Sequence, residues 1–422
     1  MNSNAVRALR SRNYRLFFTG QSLSLLGTWM QKTAVSWVVY AQTQSKFMLG
    51  VSVFATLFPS ALFSLLGGVV ADRYNRYRLL LLTQVLSMVQ AALLTLAVYW
   101  KANAVWEILA LSVVLGAINA FDVPARQSLV YELVDDKQDV PNAVALNSTM
   151  LNLSKLLGPA LAGLAIERLG AATCFGLNTL SFVPVIWSLL AMRLPAFVPR
   201  PVTKNMLSEL VEGFRYVYTT ADIRFIISTL GLSGLLVLPF TALMPVYAKD
   251  IFGGTATTFG LLDGAIGLGG LIGALYLASL KPEHNLYKVL ASSTFIMGVG
   301  LLLFAYTPWV TLALAFLVIG AFGMMTQTTV NVTLVQTLVQ PAMRGRVISL
   351  YVLVYTAAVP LGSVLVGAAS QRVGAQLTVL VEGLLALGIG LLYVRYLRQP
   401  PQAAPAEEPG VQPAAAVASA RG

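Results

Sequence analysis

The stretch LLGGVVADRYNRYRLLLL, Leu65 to Leu82, sets Asp72, Arg73, Arg76 and Arg78 within seven residues between two apolar runs. A charge at the centre of a lipid-buried helix costs about 2.5 to 3.5 kcal/mol on insertion scales. Four together therefore lie outside the hydrocarbon, and the apolar runs on either side cross it. The same alternation continues in both directions. Hydrophobic residues make up 57% of the 422-residue chain, charged residues only 11%, and the mean hydropathy is +0.75; soluble domains carry about 25% charged residues. A hydrocarbon core about 30 Å thick takes about 20 apolar residues per helix. Twelve such runs occur: spans 1 to 6 at Leu16 to Tyr40, Met48 to Ala71, Leu79 to Trp100, Trp106 to Phe121, Val144 to Ile166 and Ala171 to Met192, and spans 7 to 12 at Phe225 to Ala248, Phe259 to Leu280, Tyr287 to Tyr306, Trp309 to Val335, Val347 to Ser370 and Val373 to Tyr396. They are long and continuously apolar, whereas membrane strands alternate over about ten residues. An all-α membrane protein of twelve transmembrane helices is predicted.

A net charge of +11 raises the question of nucleic acid, and the placement of the charges answers it. Twenty-one of the 28 Lys and Arg residues fall in the N-terminus, the C-terminus and the loops on the same side as Arg73 to Arg78. Lys46, Lys101, Arg168, Lys249 and Arg372 fall on the opposite side, and Lys32 and Lys155 within spans. This is the positive-inside pattern. It predicts both termini in the cytoplasm of a bacterial inner membrane and the lipid bilayer, not nucleic acid, as the partner. The basic N-terminus followed by an apolar run is too long for a signal peptide, and no small-residue cleavage site follows.

Catalytic chemistry is poorly provided for. Cys174 is the only cysteine and His284 the only histidine, so no disulfide, Cys/His zinc site or His-based triad can be assembled. No G-x-x-x-x-G-K-[ST] loop occurs, which disfavours an ATP-driven pump. Neither an enzyme nor a bound metal or cofactor is expected.

The chain reads as two copies of one six-span unit. Gly158, Gly163, Arg168, Gly170 and Ala171 recur 204 positions later as Gly362, Gly367, Arg372, Gly374 and Ala375, and Leu133 and Val134 match Leu338 and Val339 at an offset of 205. Parallel repeats of this kind mark transporter halves. The expected organisation is an N-terminal bundle at 1–193, a cytoplasmic linker at 194–222 with an amphipathic stretch (Leu207, Leu210, Val211, Phe214), a C-terminal bundle at 223–397, and a Pro- and Ala-rich tail at 398–422 with nothing to bury.

The charged knot has the form G68-x-x-x-D72-R73-x-x-R76-x-R78, with Asn75 and Tyr77 where glycine and a basic residue are usual. It resembles motif A of the major facilitator superfamily. Gly68, having no side chain, lets a neighbouring helix approach closely; the resemblance implies that Asp72 faces the N-terminus of span 11 and that the arginines pair with an acid at the inner end of span 4, for which FDVPARQ offers Asp122, with Arg126 one turn on. Such a contact would latch the inner gate, since an acid at a helix N-terminus gains roughly 0.3 to 1 kcal/mol. SRNYRLFFTGQSLSLLGTWMQ, VPNAVALNS, LLGPALAG and RGRVISLY extend the resemblance over nearly the whole chain, to the drug:proton antiporter subfamily that includes enterobactin and macrolide exporters. Gly158, Pro159 and Gly163 partly match that subfamily's antiport motif; its further glycines are missing.

Polar residues inside the spans give the remaining candidates. Gln21, Ser24, Thr28 and Gln31 or Lys32 share a face of span 1, Ser148, Asn152, Lys155 and Pro159 a face of span 5, and Gln327 and Asn331 lie one turn apart on span 10. These stripes are expected to line a central cavity, the alternative being interhelical hydrogen bonds worth about 0.6 kcal/mol each. Asp263 and Glu382 are embedded acids, and an acid removed from water is a candidate proton carrier. The two lysines suggest a small amphipathic substrate with a preference for anions. The reading is a monomeric secondary transporter exporting amphipathic molecules by alternating access in exchange for protons; a lysophospholipid flippase and a proton-coupled importer share the fold.

Overall fold

The computed structural model describes residues 6–100, 104–192, 206–281 and 284–397; the tail at 398–422 and the Pro-rich start of the linker lie outside them. Long helices occupy every expected span: Arg12–Thr43, Lys46–Arg73, Arg76–Trp100, Val105–Leu133, Val140–Leu169 and Ala171–Leu190, then Ala221–Leu236, Ala256–Ser279, Leu286–Ala305, Val310–Leu338, Arg344–Val373 and Ala375–Leu397. Eleven helical segments are long and apolar enough to cross a membrane, and span 1 falls outside that set. Its 32 residues are ample, but Gln21, Gln31 and Lys32 dilute its apolar character.

Two spans depart from the sequence expectation. Span 4 runs twelve residues past Phe121, to Leu133, with Pro124 inside the helix without ending it and Ala125, Leu129, Val130 and Leu133 buried. Span 7 breaks after Leu236 into a 3₁₀ turn (Leu238–Leu243), a single α turn and a π turn (Tyr247–Ile251). Pro239 and Pro245 remove backbone donors there, so the α-helical ladder cannot continue.

The helices pack in pairs that repeat six spans later. Span 2 lies on span 4 as span 8 lies on span 10; spans 3 and 6 pair as spans 9 and 12 do; spans 1 and 5 pair as spans 7 and 11 do. The turns into spans 6 and 12 are made by Gly170 (φ +85°) and Gly374 (φ +92°), a backbone region that glycine enters at no steric cost. Each half has its own apolar core, around Tyr14, Phe17, Leu80, Phe182 and Val185 in the first and Ile226, Phe240, Leu262, Met297 and Phe304 in the second. Between the halves, span 2 packs on span 11 and span 5 on span 8.

The linker contains a helix, Met206–Thr219, which packs on span 11 and the start of span 7. Glu212 pairs with Arg346 at 2.5 Å, and Val217 is buried. This part of the linker is physically joined to the C-terminal half.

Close approach in span 2 falls on Gly67, where a Cβ would collide with the Ala120 carbonyl of span 4; around Gly68 there is nothing within 4 Å. In this conformation the helix contact expected at Gly68 is therefore made one residue earlier. Gly67→Val should lower the melting temperature of the purified protein, the overpacking costing about 1 to 3 kcal/mol, whereas Gly68→Ala should melt like the parent.

Candidate functional site

The hydrogen bonds that join the two halves cluster on the side away from the basic loops, here the far side. The Lys46 backbone N–H donates to Gln371 Oε1 at 2.8 Å, Thr255 Oγ1 to Glu167 Oε2 at 2.7 Å, and Tyr40 to Asp250. Backbones touch there too. A Cβ on Gly163 would lie 2.6 Å from the Ala256 carbonyl oxygen, and one on Gly367 2.7 Å from that of Lys46. One level deeper, Thr33 Oγ1 of span 1 donates to Asp263 Oδ2 of span 8 at 3.2 Å.

Beneath this seal lies a cavity of about 400 Å³. Span 1 contributes Trp29, Lys32, Thr33 and Ser36, span 5 Asn152, Lys155 and Pro159, and span 8 Phe259, Asp263 and Ile266; Thr241, Met324, Met325, Tyr355 and Thr356 come from spans 7, 10 and 11, and Val53, Leu57 and Ser60 of span 2 complete the wall. Lys32 Nζ stands 4.5 Å from the centroid of the Trp29 ring, and Lys155 Nζ 5.6 Å from the same ring. Both lysines are solvent-accessible inside the protein. Gly158 permits this convergence, because a Cβ there would meet Trp29 Cβ at 2.5 Å. A second pocket of about 490 Å³ shares Asn152, Lys155 and Met325 and extends past Ser148, Ala278 and Thr333 toward the basic side.

On span 1 the cavity face is one step round from the stripe expected. Gln21, Ser24 and Gln31 are buried inside the N-terminal half, and Thr28 bonds back to the Ser24 carbonyl. Gln31 donates to Gln90 Oε1 at 3.1 Å and accepts from Asn178 Nδ2 at 2.7 Å. Gln31 finds its partners on spans 3 and 6, and Trp29, Lys32, Thr33 and Ser36 are left facing the crevice. Span 10 behaves alike. Gln327 and Asn331 are buried within the C-terminal half, Gln327 donating to Ser233 at 3.0 Å, while Met324, Met325, Thr329 and Thr333 reach the pockets. Of the three stripes, the structure brings that of span 5 to the cavity, and from that of span 1 only Lys32.

The two embedded acids separate. Asp263 lines the cavity. Glu382 is 2% exposed, away from it, with neither carboxylate oxygen hydrogen-bonded.

Around motif A, Arg76 reaches Glu132 at 2.6 Å and Asp72 at 3.4 Å. This corrects the expectation from the sequence, in which Asp122 is the partner. With span 4 longer than predicted, its end is at Glu132, and Asp122 sits buried about ten residues inside, accepting from Thr83 (2.9 Å) and Gln84 (2.6 Å) and paired with Arg126 (3.2 Å). Asn75, where the motif has glycine, accepts the Arg78 backbone N–H at 3.2 Å. Arg73 and Arg78 are exposed, and the Asp72 side chain is 66% exposed, its only ion pair among the described residues being the weak one to Arg76.

The family model described as transmembrane secretion effector, a branch of the major facilitator superfamily, matches residues 3–420. The chain belongs to that family. It is 25% identical over 381 residues to the staphyloferrin A transporter of Staphylococcus aureus, covering 90% of this chain and 95% of that one. To macrolide efflux protein A of Streptococcus pyogenes it is 22% identical over 388 residues, covering 90% and 96%. Among solved structures, a bacterial homolog of the human lysosomal transporter Spinster, described as inward-facing and unoccupied, superposes with a TM-score of 0.71 at 14% identity, covering 91% of this chain and 97% of that one; at that identity the likeness concerns the fold. The chain is thus a multi-pass membrane transporter and not an enzyme.

Trp29, Thr33, Glu132 and Tyr355 carried no signal of their own in the sequence. Trp29 alone had one within reach, lying one turn from Lys32. In a Cys174→Ala background, Asn152→Cys should react with a membrane-impermeant thiol reagent added from the basic side, and Gln31→Cys should stay unlabelled until the protein is denatured.

Proposed function

We propose that this transporter exports small amphipathic molecules from the bacterial cytoplasm by alternating access, in exchange for protons. The observation that carries the reading is the cavity sealed on the far side and continued by a pocket toward the basic side. Under the positive-inside rule the basic side is cytoplasmic, which puts both termini in the cytoplasm and makes this conformation the one that loads substrate. The efflux activity named for the macrolide relative supports the direction.

The moving parts are the bundles at 1–193 and 223–397, with the Met206–Thr219 helix carried by the second. Release needs the inner ends of spans 2 and 11 to come together. Gly68 and Gly345 both face open space, so there is room for the approach, and Asp72 then meets the N-terminus of span 11 as the latch. A dipole contact of roughly 0.3 to 1 kcal/mol holds a gate reversibly. Asp263 in the cavity and Glu382 in the C-terminal half are the acids available to carry the proton. No bound cofactor is required, and the cavity is complete within one chain, so a monomer suffices.

Everted membrane vesicles with an acidic lumen test the reading. They should accumulate a fluorescent amphipathic dye, and a protonophore should release it. Asp263→Asn or Glu382→Gln should leave dye binding and abolish gradient-driven accumulation; if both variants accumulate dye as the parent does, proton exchange through these acids is wrong. Asp72→Asn should shift cysteine accessibility toward the conformation open to the cytoplasm.

A further inference from the structure

The charges in the cavity do not cancel. Lys32 from span 1 and Lys155 from span 5 both stand over Trp29, and the one acid on the wall is Asp263 of span 8. Tyr355 of span 11 is the remaining titratable group lining it; spans 2, 7 and 10 present only hydroxyl and apolar side chains. Asp263 is within electrostatic reach of Lys32, yet its hydrogen bond goes to Thr33. One carboxylate can neutralise one ammonium. Two ammonium groups drawn to one ring repel each other, and an unbalanced charge is costly in a low-dielectric surround unless a counter-charge arrives.

We propose that the cavity selects amphipathic organic anions. The oxyanion head, a carboxylate, sulfonate or phosphate, sits between Lys32 and Lys155, with Asn152 as a neutral hydrogen-bond donor. The apolar body lies along Trp29, Phe259, Met324 and Met325. Asp263 is the internal counter-ion of Lys32 in the empty cavity, and the head group of the ligand takes its place. Such a pocket, mostly apolar with a few convergent polar groups, is what orients a small ligand. This assignment of substrate class rests on the transport reading for its use, but it makes a claim about binding that stands or falls separately.

The test is equilibrium binding to the full chain in phosphatidylcholine nanodiscs, with dansylglycine as the anionic probe and dansylcadaverine as its cationic counterpart. The parent should bind dansylglycine more tightly. Lys32→Met and Lys155→Met should each weaken that binding by roughly ten- to a hundredfold, the range for a hydrogen bond to a charged group. Lys155→Arg should retain it, which separates a lost charge from a lost fold, and Asp263→Asn should tighten it several-fold by removing the competitor. Equal or tighter binding of the cation, or lysine variants that bind dansylglycine like the parent, would overturn the proposal; weaker binding in Asp263→Asn would overturn the counter-ion role. A protein that binds the anion but moves no dye in vesicles would refute transport and leave the site standing. One that moves a neutral dye while binding no anion would do the reverse.

Discussion

Everything in this structure follows from the cost of holding a charge where water is scarce. An ion inside a helix bundle needs a partner, a hydrogen-bond shell or access to solvent, and the chain uses all three. Asp122 and Arg126 are internalised as a pair, with Thr83 and Gln84 filling the remaining acceptor capacity of the acid. Lys32 and Lys155 are given a crevice. Glu382 has neither a hydrogen-bond partner nor an opening, so it is an acid that this conformation leaves without compensation.

The two halves share a backbone plan but not a charge plan. At the repeat offset of 205, Asp122 and Arg126 correspond to Gln327 and Asn331, so the ion pair of span 4 becomes a pair of amides in span 10. At the offset of 204, Asn178, which bridges to Gln31, corresponds to Glu382. Its neighbour in the second half is the broken end of span 7 rather than a regular helix with an amide to offer. The first half is cross-linked largely by satisfied polar contacts and leaves one unpartnered oxygen each on Gln21 and Asn147, while the second keeps more unsatisfied polar atoms, Gln327, Asn331 and Glu382 among them. Unsatisfied buried groups favour whichever alternative packing gives them partners, and this places the greater conformational tension in the C-terminal half.

The sequence was legible where one periodicity carried one meaning. Apolar run length located every span, and the placement of lysine and arginine separated the two sides. It was less legible where a helix had two polar faces. Span 1 is polar both toward spans 3 and 6 and toward the cavity, and positions 28 and 29 or 31 and 32 differ by only 100° of rotation. Composition alone assigns neither face, because an amide reads the same whether its partner is a neighbouring helix or water. Helix ends were misjudged for a related reason: Asp122 interrupts the hydropathy of span 4, yet the helix continues because Thr83 and Gln84 on span 3 satisfy the acid. The break in span 7 was written in Pro239 and Pro245, which are outnumbered by the apolar residues around them.

The two ends of the interface between the halves are built from different physics. The far side closes by backbone contact at Gly163 and Gly367 and by several hydrogen bonds, so its closure sums many short-range terms that all vanish within an ångström or two. Among the described residues the basic side offers charges: Asp72, Arg73 and Arg78 exposed, Arg76 held by Glu132, and Arg346 held by Glu212. The closure proposed above would draw Asp72 toward a span whose Arg346 is already engaged, so the gain from the latch would be reduced by whatever the Glu212 bridge gives up. An end sealed by steep contacts and an end balanced by shallow, competing charges are not equivalent. Under the proposed alternating access, that asymmetry favours the conformation open on the basic side in the empty protein, and a ligand that bridges the cavity walls is what would offset it.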